Sequence, residues 1–311
     1  MRYVAGISAI ALLALAPAAF GQAKKAAPAA KPAASTLERV KSSGTLKLGY
    51  RTDARPFSFK DVSGNPTGYS VDLCRAVGEA VKSKAGVADL KVEWVPVSVD
   101  NQLQAVEQHD IDALCAAVTV TLGRREHVDF SSPIFPGGVG VVVRSDSPKR
   151  LRSILNGEAV KYTPTWKAIA LNVLREQVFT AVPGTTAEQW VKERGREFQV
   201  EFALTPASSY ESGIQAVLDR KASAFFAERA ILLDAVMSHK GGDDLTVLDR
   251  QFTYERLALP IQRGDDDFRL LVDRALSKEF QSAGYRGTYS KWFGEPNEKS
   301  EVFFRWNSLP E

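Results

Sequence analysis

The sequence predicts an α/β protein of two lobes with a ligand cleft between them, and three observations carry that prediction. Short strand-like runs alternate with amphipathic helices, which implies largely parallel sheets covered by helices. The alternation comes in two successive series. The chain is 311 residues long, a length that suggests two domains with a core each. At 44% hydrophobic and 25% charged residues, the composition excludes a disordered or collagen-like chain.

The elements follow in chain order. Met1-Arg2 is a short positive start, Val4–Phe20 is apolar or small throughout, and Gly21-Gln22-Ala23 offers small residues for cleavage. Residues 1–23 read as an export signal, which places the mature protein outside the cytoplasm. Residues 24–36 are an Ala/Pro/Lys tether with nothing to bury. The formal net charge is +3, but four of the 40 bases and none of the 37 acids lie in residues 1–34. The remainder is close to neutral, which excludes general attraction to nucleic acid or acidic membranes.

Thr45–Gly49 reads as a strand. Ser70 opens a helix to about Lys82, with Leu73, Cys74, Val77 and Val81 on one face. Lys91–Val97 is a strand, Asn101–Gln108 a short helix, Ile111–Val118 a strand. Gly138–Arg144 is a continuous apolar run, the pattern of a strand buried on both faces. In the second series, Thr165–Gln177 forms an inserted helix with Trp166, Ile169, Ala170, Val173 and Leu174 at helical spacing. Phe179–Val182 is a strand. Gly184-Thr185-Thr186 starts a helix with two overlapping capping boxes, Thr185 to Glu188 and Thr186 to Gln189. Strands at Gln199–Leu204, Ala222–Phe226, Leu245–Leu248 and Leu257–Ile261 alternate with helices at Tyr210–Asp219, Arg229–Ser238, Phe268–Phe280 and Tyr285–Phe293.

Cys74 and Cys115 are the only cysteines. Cys74 falls on a predicted helix above the strand holding Cys115, and export puts both in an oxidising compartment. A disulfide and two buried free thiols both fit. His109, His127 and His239 lie far apart, and no metal-ligand spacing, nucleophile elbow, phosphate loop or dinucleotide fingerprint is present. No metal and no cofactor are expected, which favours binding over chemistry.

The segment Ala117–Phe130 (AVTVTLGRREHVDF) is the most specific. Thr119 and Thr121 alternate at a strand end, and Arg124 follows one turn later. Exposed N–H groups, hydroxyls and a guanidinium together suit a carboxylate. With LKLGYRTDARPFSF (46–59), GYSVDLCRAV (68–77), GTTAEQWV (184–191), ASAFFAERAILL (222–233) and LALPIQRGDDDFRLLVDRAL (257–276), the chain resembles the polar amino acid receptors of ABC importers. These are extracytoplasmic solute-binding proteins of family 3.

The resemblance implies a two-lobed clamshell of the periplasmic-binding-protein type II kind, each lobe a mainly parallel sheet flanked by helices. Residues 37–143 with 255–311 would form lobe 1 and residues 144–254 lobe 2. It implies an amino acid ligand, a membrane permease as partner and action as a monomer. Arg124 would grip the α-carboxylate with Thr119 and with Thr185 or Thr186, whose helix start favours an anion. Ala117 would offer only its carbonyl to the ammonium, and Glu228 would meet that ammonium unless it is merely a helix-end acid. Tyr50 and Tyr69 are candidate aromatic walls or core residues. Arg51 resembles the arginine of acidic amino acid binders, whereas Gln102 stands where those carry a second arginine. With Arg124 and Glu228 balanced by the ligand's own charges, Arg51 needs an anion, so glutamate or aspartate is expected first and an amide second. The competing expectation is a periplasmic dehydratase of prephenate type, with Glu228 as general acid.

Overall fold

The computed structural model describes residues 35–158, 172–282 and 284–311. The expected signal at 1–23, the tether as far as residue 34 and residues 165–171 of the inserted helix lie outside them. Residues 172–175, from the end of that helix, are helical.

The first lobe begins where the tether composition ends. Ser35 caps α1 (Thr36–Ser43), its hydroxyl accepting from the Glu38 N–H at 3.3 Å. Thr36 is therefore a buried helix residue and not part of the tether. Strand β1 (Thr45–Arg51) follows, then a small meander of β2 (Asp53–Ala54), β3 (Ser58–Lys60) and β4 (Pro66–Thr67). Helix α2 (Tyr69–Ala85) starts two residues earlier than a Ser70 cap predicts, and Gly68, not Ser70, stands at its cap. Gly68 has φ +125°, and a Cβ there would meet the Phe57 carbonyl oxygen at 2.3 Å, so the tight entry admits only glycine. The Ser70 hydroxyl is buried without a partner.

Next come β5 (Lys91–Val97), α3 (Gln102–Glu107), β6 (Ala113–Leu114), β7 (Val118–Thr119), α4 (Leu122–Arg125), β8 (Val128–Phe130) and β9 (Phe135–Gly137). The single strand expected over 111–118 is thus two short pieces, and the break between them carries Ala116 and Ala117.

The second lobe holds β10 (Val139–Arg144), α5 (Lys149–Asn156), β11 (Val178–Ala181), α6 (Thr186–Phe198), β12 (Ala203–Pro206), α7 (Tyr210–Leu218), β13 (Ala224–Glu228), α8 (Arg229–Ser238) and β14 (Leu245–Val247). The chain then returns through β15 (Glu255–Ala258) and β16 (Pro260–Gln262) to α9 (Asp266–Gln281), α10 (Gly284–Phe293) and α11 (Glu298–Asn307) on the first lobe.

Each lobe is built on a five-stranded sheet, ordered β5-β1-β6-β16-β8 in the first and β12-β11-β13-β10-β14 in the second. Three neighbouring strands in each are parallel: β1 with β5 and β6, and β11 with β12 and β13. The remaining pairings, made by β16 and β10, are antiparallel. Both sheets are therefore mixed, because each takes in a strand that has just crossed from the other lobe. Since β10 pairs with β13 and β14, residues 139–143 belong to the second lobe and not to the first, as the boundary at 143 had it. A separate antiparallel ribbon, β7-β15-β9, carries the chain between lobes.

Helix α2 lays Leu73, Cys74, Val77 and Val81 onto the first sheet, all at most 1% exposed. Cys74 and Cys115 are bonded as a disulfide with Cα atoms 5.9 Å apart, tying α2 to the chain just after β6. Asp72 accepts from Lys291 Nζ at 2.7 Å and from Trp292 Nε1 at 2.9 Å, which fastens α2 to α10.

Candidate functional site

The carboxyl ends of the parallel strands and the starts of the second lobe's helices meet in one cleft. That is where an open α/β sheet gathers backbone N–H groups and leaves room for a ligand. Arg51, Gln102, Ala117, Thr119 and Arg124 line it from the first lobe, and Thr185, Thr186, Tyr210 and Glu228 from the second.

Arg124 projects from α4, whose cap is Thr121: the Thr121 hydroxyl accepts from the Arg124 N–H at 3.2 Å. Its guanidinium donates through Nη1 to the Thr119 carbonyl at 2.8 Å and through Nη2 to the Gly184 carbonyl of the opposite lobe at 3.3 Å. Desolvation lowers its pKa, and the Glu255 charge acts in the opposite sense. Two of its five N–H groups are thus used for orientation, and the others remain for an anion.

Neither of the two capping boxes expected at the Gly-Thr-Thr turn closes, because the Glu188 carboxylate accepts from the Gly184 N–H at 3.0 Å and not from that of Thr185. Thr185 caps α6, accepting from the Glu188 N–H at 3.3 Å and donating to the Val182 carbonyl at 2.7 Å. Its one hydroxyl proton is therefore used. Thr186 stands in the first turn, and its hydroxyl donates to Glu255 Oε2 at 3.0 Å. Thr119 from the other lobe donates to the same oxygen at 2.6 Å.

Glu228 ends β13 and caps α8. Gly138 N–H donates to its Oε2 at 2.7 Å and Ala230 N–H to its Oε1 at 3.3 Å. Desolvation pushes its pKa up to about 8, aided by the neighbouring Glu255 charge and opposed by those backbone N–H groups. The folded carboxyl therefore keeps a proton that the unfolded chain, near its ordinary 4.5, has lost. Stability from this group is complete below about pH 4.5 and fades as pH rises through about 8. Glu228→Gln should flatten that decline, narrowing the difference in melting temperature between pH 5 and pH 8 by several degrees. Thermal unfolding of ligand-stripped wild type and variant at both pH values checks this.

Arg51, 4% exposed, is not left over as the charge count from sequence had it. Its Nε and Nη2 donate to Asp53 Oδ1 at 3.0 and 2.6 Å, and its guanidinium lies 5.9 Å from the centre of the Tyr210 ring. Gln102, 6% exposed, donates to the Val99 carbonyl at 3.2 Å, which fixes its amide and leaves Oε1 buried without a partner. Tyr69 is not a wall of the cleft. It is wholly buried among Phe57, Phe135 and Phe293, and its hydroxyl donates to the Ile134 carbonyl at 3.0 Å. Tyr50 also lies in the core, edge-on to Trp94.

Asp53, Tyr210 and Glu255 went unread as site residues. Asp53 lies two residues from Arg51, a spacing that places it within reach whenever the strand turns. Tyr210 had the signal of a helix start and nothing more. Glu255 carried none. A further contact joins the lobes beside the cleft, where Arg55 Nε meets Asp234 Oδ2 at 2.8 Å. Among the described residues no group of three or more His, Cys, Asp or Glu side chains could hold a metal ion.

Known proteins share this arrangement of lobes. The chain is 28% identical over 262 residues to the L-glutamate/L-aspartate-binding protein of Pseudomonas aeruginosa, covering 84% of this chain and 80% of that one. It is 25% identical over 289 residues to the glutamate/aspartate import solute-binding protein of Escherichia coli, covering 93% and 88%. Among solved structures, an ancestral amino acid-binding protein described as a precursor of cyclohexadienyl dehydratase matches with a TM-score of 0.68 and 27% identity, over 83% of this chain and all of that one. Residues 46–295 match the family model of the bacterial extracellular solute-binding proteins, family 3. With that match extending over most of its length, the chain belongs to the bacterial extracellular solute-binding proteins of family 3.

Proposed function

We propose that this protein is an exported, monomeric receptor that closes its two lobes on a polar L-amino acid and delivers it to the permease of an ABC importer. The observation that carries this reading is the Arg124 guanidinium facing, across one cleft, the start of α6 and Glu228. A zwitterion fits between them. Arg124 and the first-turn N–H groups of α6 take the α-carboxylate, while the Ala117 carbonyl and Glu228, which gives up its proton as the ligand's positive charge enters, take the ammonium. In this reading residues 1–23 direct export to the periplasm and residues 24–36 tether the fold.

The ligand side chain is acidic or an amide, because Arg51 and Gln102 sit together in the cleft. Within that class the geometry favours the amide. Asp53 already balances Arg51, and the buried Gln102 Oε1 calls for an N–H donor. Relatives named for glutamate and aspartate support the acid. Calorimetry of ligand-stripped mature protein against the common L-amino acids decides the matter. Glutamine, asparagine, glutamate or aspartate should bind, and a preference for lysine, histidine or a branched aliphatic residue overturns the assignment. Arg51→Ala leaves Asp53 as an unbalanced negative charge at the cleft. It should weaken glutamate by about tenfold or more and glutamine less, since one buried ionic contact is worth a few kcal/mol.

One observation favours a second reading. An enclosed carboxyl with a pKa of about 8 is protonated at neutral pH and suits a general acid. A solved neighbour is described as a precursor of a dehydratase. Aromatic product formed from prephenate by wild type, and lost in Glu228→Gln, would establish that activity in place of transport.

A further inference from the structure

We infer that Glu255 is a positioning residue that sets the hydrogen-bond polarity of the cleft: it takes the hydroxyl protons of Thr119 and Thr186 and turns both hydroxyls into acceptors for the ligand's ammonium. The inference rests on the reading of the chain as an amino acid receptor.

Glu255 opens β15, the central strand of the ribbon that carries the chain between lobes, opposite Gly137 of β9. Two residues on, Leu257 stands opposite Thr119 of β7. Because alternate residues of a strand share a face, this register sends Glu255 towards the Thr119 side chain. One carboxylate oxygen, Oε2, accepts from Thr119 of the first lobe at 2.6 Å and from Thr186 of the second at 3.0 Å. The other, Oε1, accepts from Thr253 at 2.6 Å. The two 2.6 Å lengths are those of charge-assisted O–H bonds and the 3.0 Å one that of an ordinary hydrogen bond, and a carboxylate only accepts.

The rest is proton counting. A hydroxyl has one proton and two lone pairs. With both protons on Glu255, Thr119 and Thr186 can offer the cleft only lone pairs. They therefore repel a carboxylate oxygen and receive an N–H. This departs from the sequence expectation that the Thr119 hydroxyl grips the α-carboxylate, and it leaves that group to Arg124 and the α6 N–H groups. Glu255 also holds a hydroxyl from each lobe on a single oxygen, so the acceptor pair is assembled only when the lobes meet. The two hydroxyl oxygens then lie 3.5 Å apart.

The test compares each amino acid with its desamino analogue by calorimetry, L-glutamate against glutarate and L-glutamine against glutaramate. In Glu255→Leu the hydroxyls regain their protons and can donate. The preference for the amino form should fall by about tenfold or more, with the desamino acids bound as tightly as by wild type or more so. Thr186→Val keeps Glu255 but removes one acceptor and should lower the same ratio; it decides the question if Glu255→Leu does not fold. A purely structural role would weaken both members of each pair equally, and an unchanged ratio in the folded variants overturns the inference. If wild type binds no amino acid at all, the receptor reading itself falls and this inference with it. If wild type binds amino acids and the ratio holds in the variants, only the role of Glu255 is lost.

Discussion

Arg124→Ala should weaken every ligand the cleft accepts by about 2–5 kcal/mol, or roughly 30-fold to several thousand-fold, whatever the ligand side chain. The guanidinium is half-buried and aimed by two carbonyl oxygens, one from each lobe. Its removal leaves the α-carboxylate desolvated without a bidentate partner and also deletes a contact between lobes. Arg124→Lys should recover only part of the loss, because an ammonium cannot meet both carbonyls and a carboxylate in one plane. The neighbouring Arg125 is exposed, and Arg125→Ala serves as the control that should bind normally. Calorimetry across acidic, amide and neutral amino acids checks the uniformity of the effect. A loss confined to acidic ligands would move Arg124 from the α-carboxylate to the side chain.

Replacing Cys74 and Cys115 together by serine should lower stability by about 4 kcal/mol, with affinity retained within a few-fold. The bond closes a loop of 41 residues, and the chain-entropy estimate for a loop of that length gives the figure. Both sulfurs belong to wholly buried residues, outside the cleft lining. Denaturant unfolding of the double variant measures the loss, and wild type unfolded with a reductant should converge on the same midpoint. An unchanged midpoint would show that α2 is held by packing and by the Asp72 contacts alone.

What could be read from sequence follows from where the information lies. Long amphipathic stretches such as Asp266–Gln281 and Tyr69–Ala85 repeat an apolar face often enough to be unambiguous. By contrast α5 buries only Leu151 and Leu155, one turn apart, and α1 begins directly after a low-complexity tether. The Ala117–Arg124 segment and the Gly-Thr-Thr turn were legible because local geometry makes them: a strand end, a short helix, a helix start. Tyr69 was misplaced because a helix's first residue can face either cleft or core. The choice was made by Phe135 and Phe293, which come from elsewhere in the chain. Glu255 was invisible for the same reason, since its partners Thr119 and Thr186 are brought to it only when the chain returns between lobes.

That return has a further consequence for how the molecule assembles. Strand β16, at residues 260–262, is the middle rung between β6 at 113–114 and β8 at 128–130. Until it arrives, β6 has an open edge and β8 has no neighbour in the sheet. Every strand of the second sheet lies between residues 139 and 247, so that lobe has all its pairing partners sooner. A chain made from its amino end can complete the later lobe while the earlier one waits, with an unpaired, apolar edge exposed in the interval. The lobe that starts first is thus finished last, and until β16 docks its open sheet edge can pair with another chain.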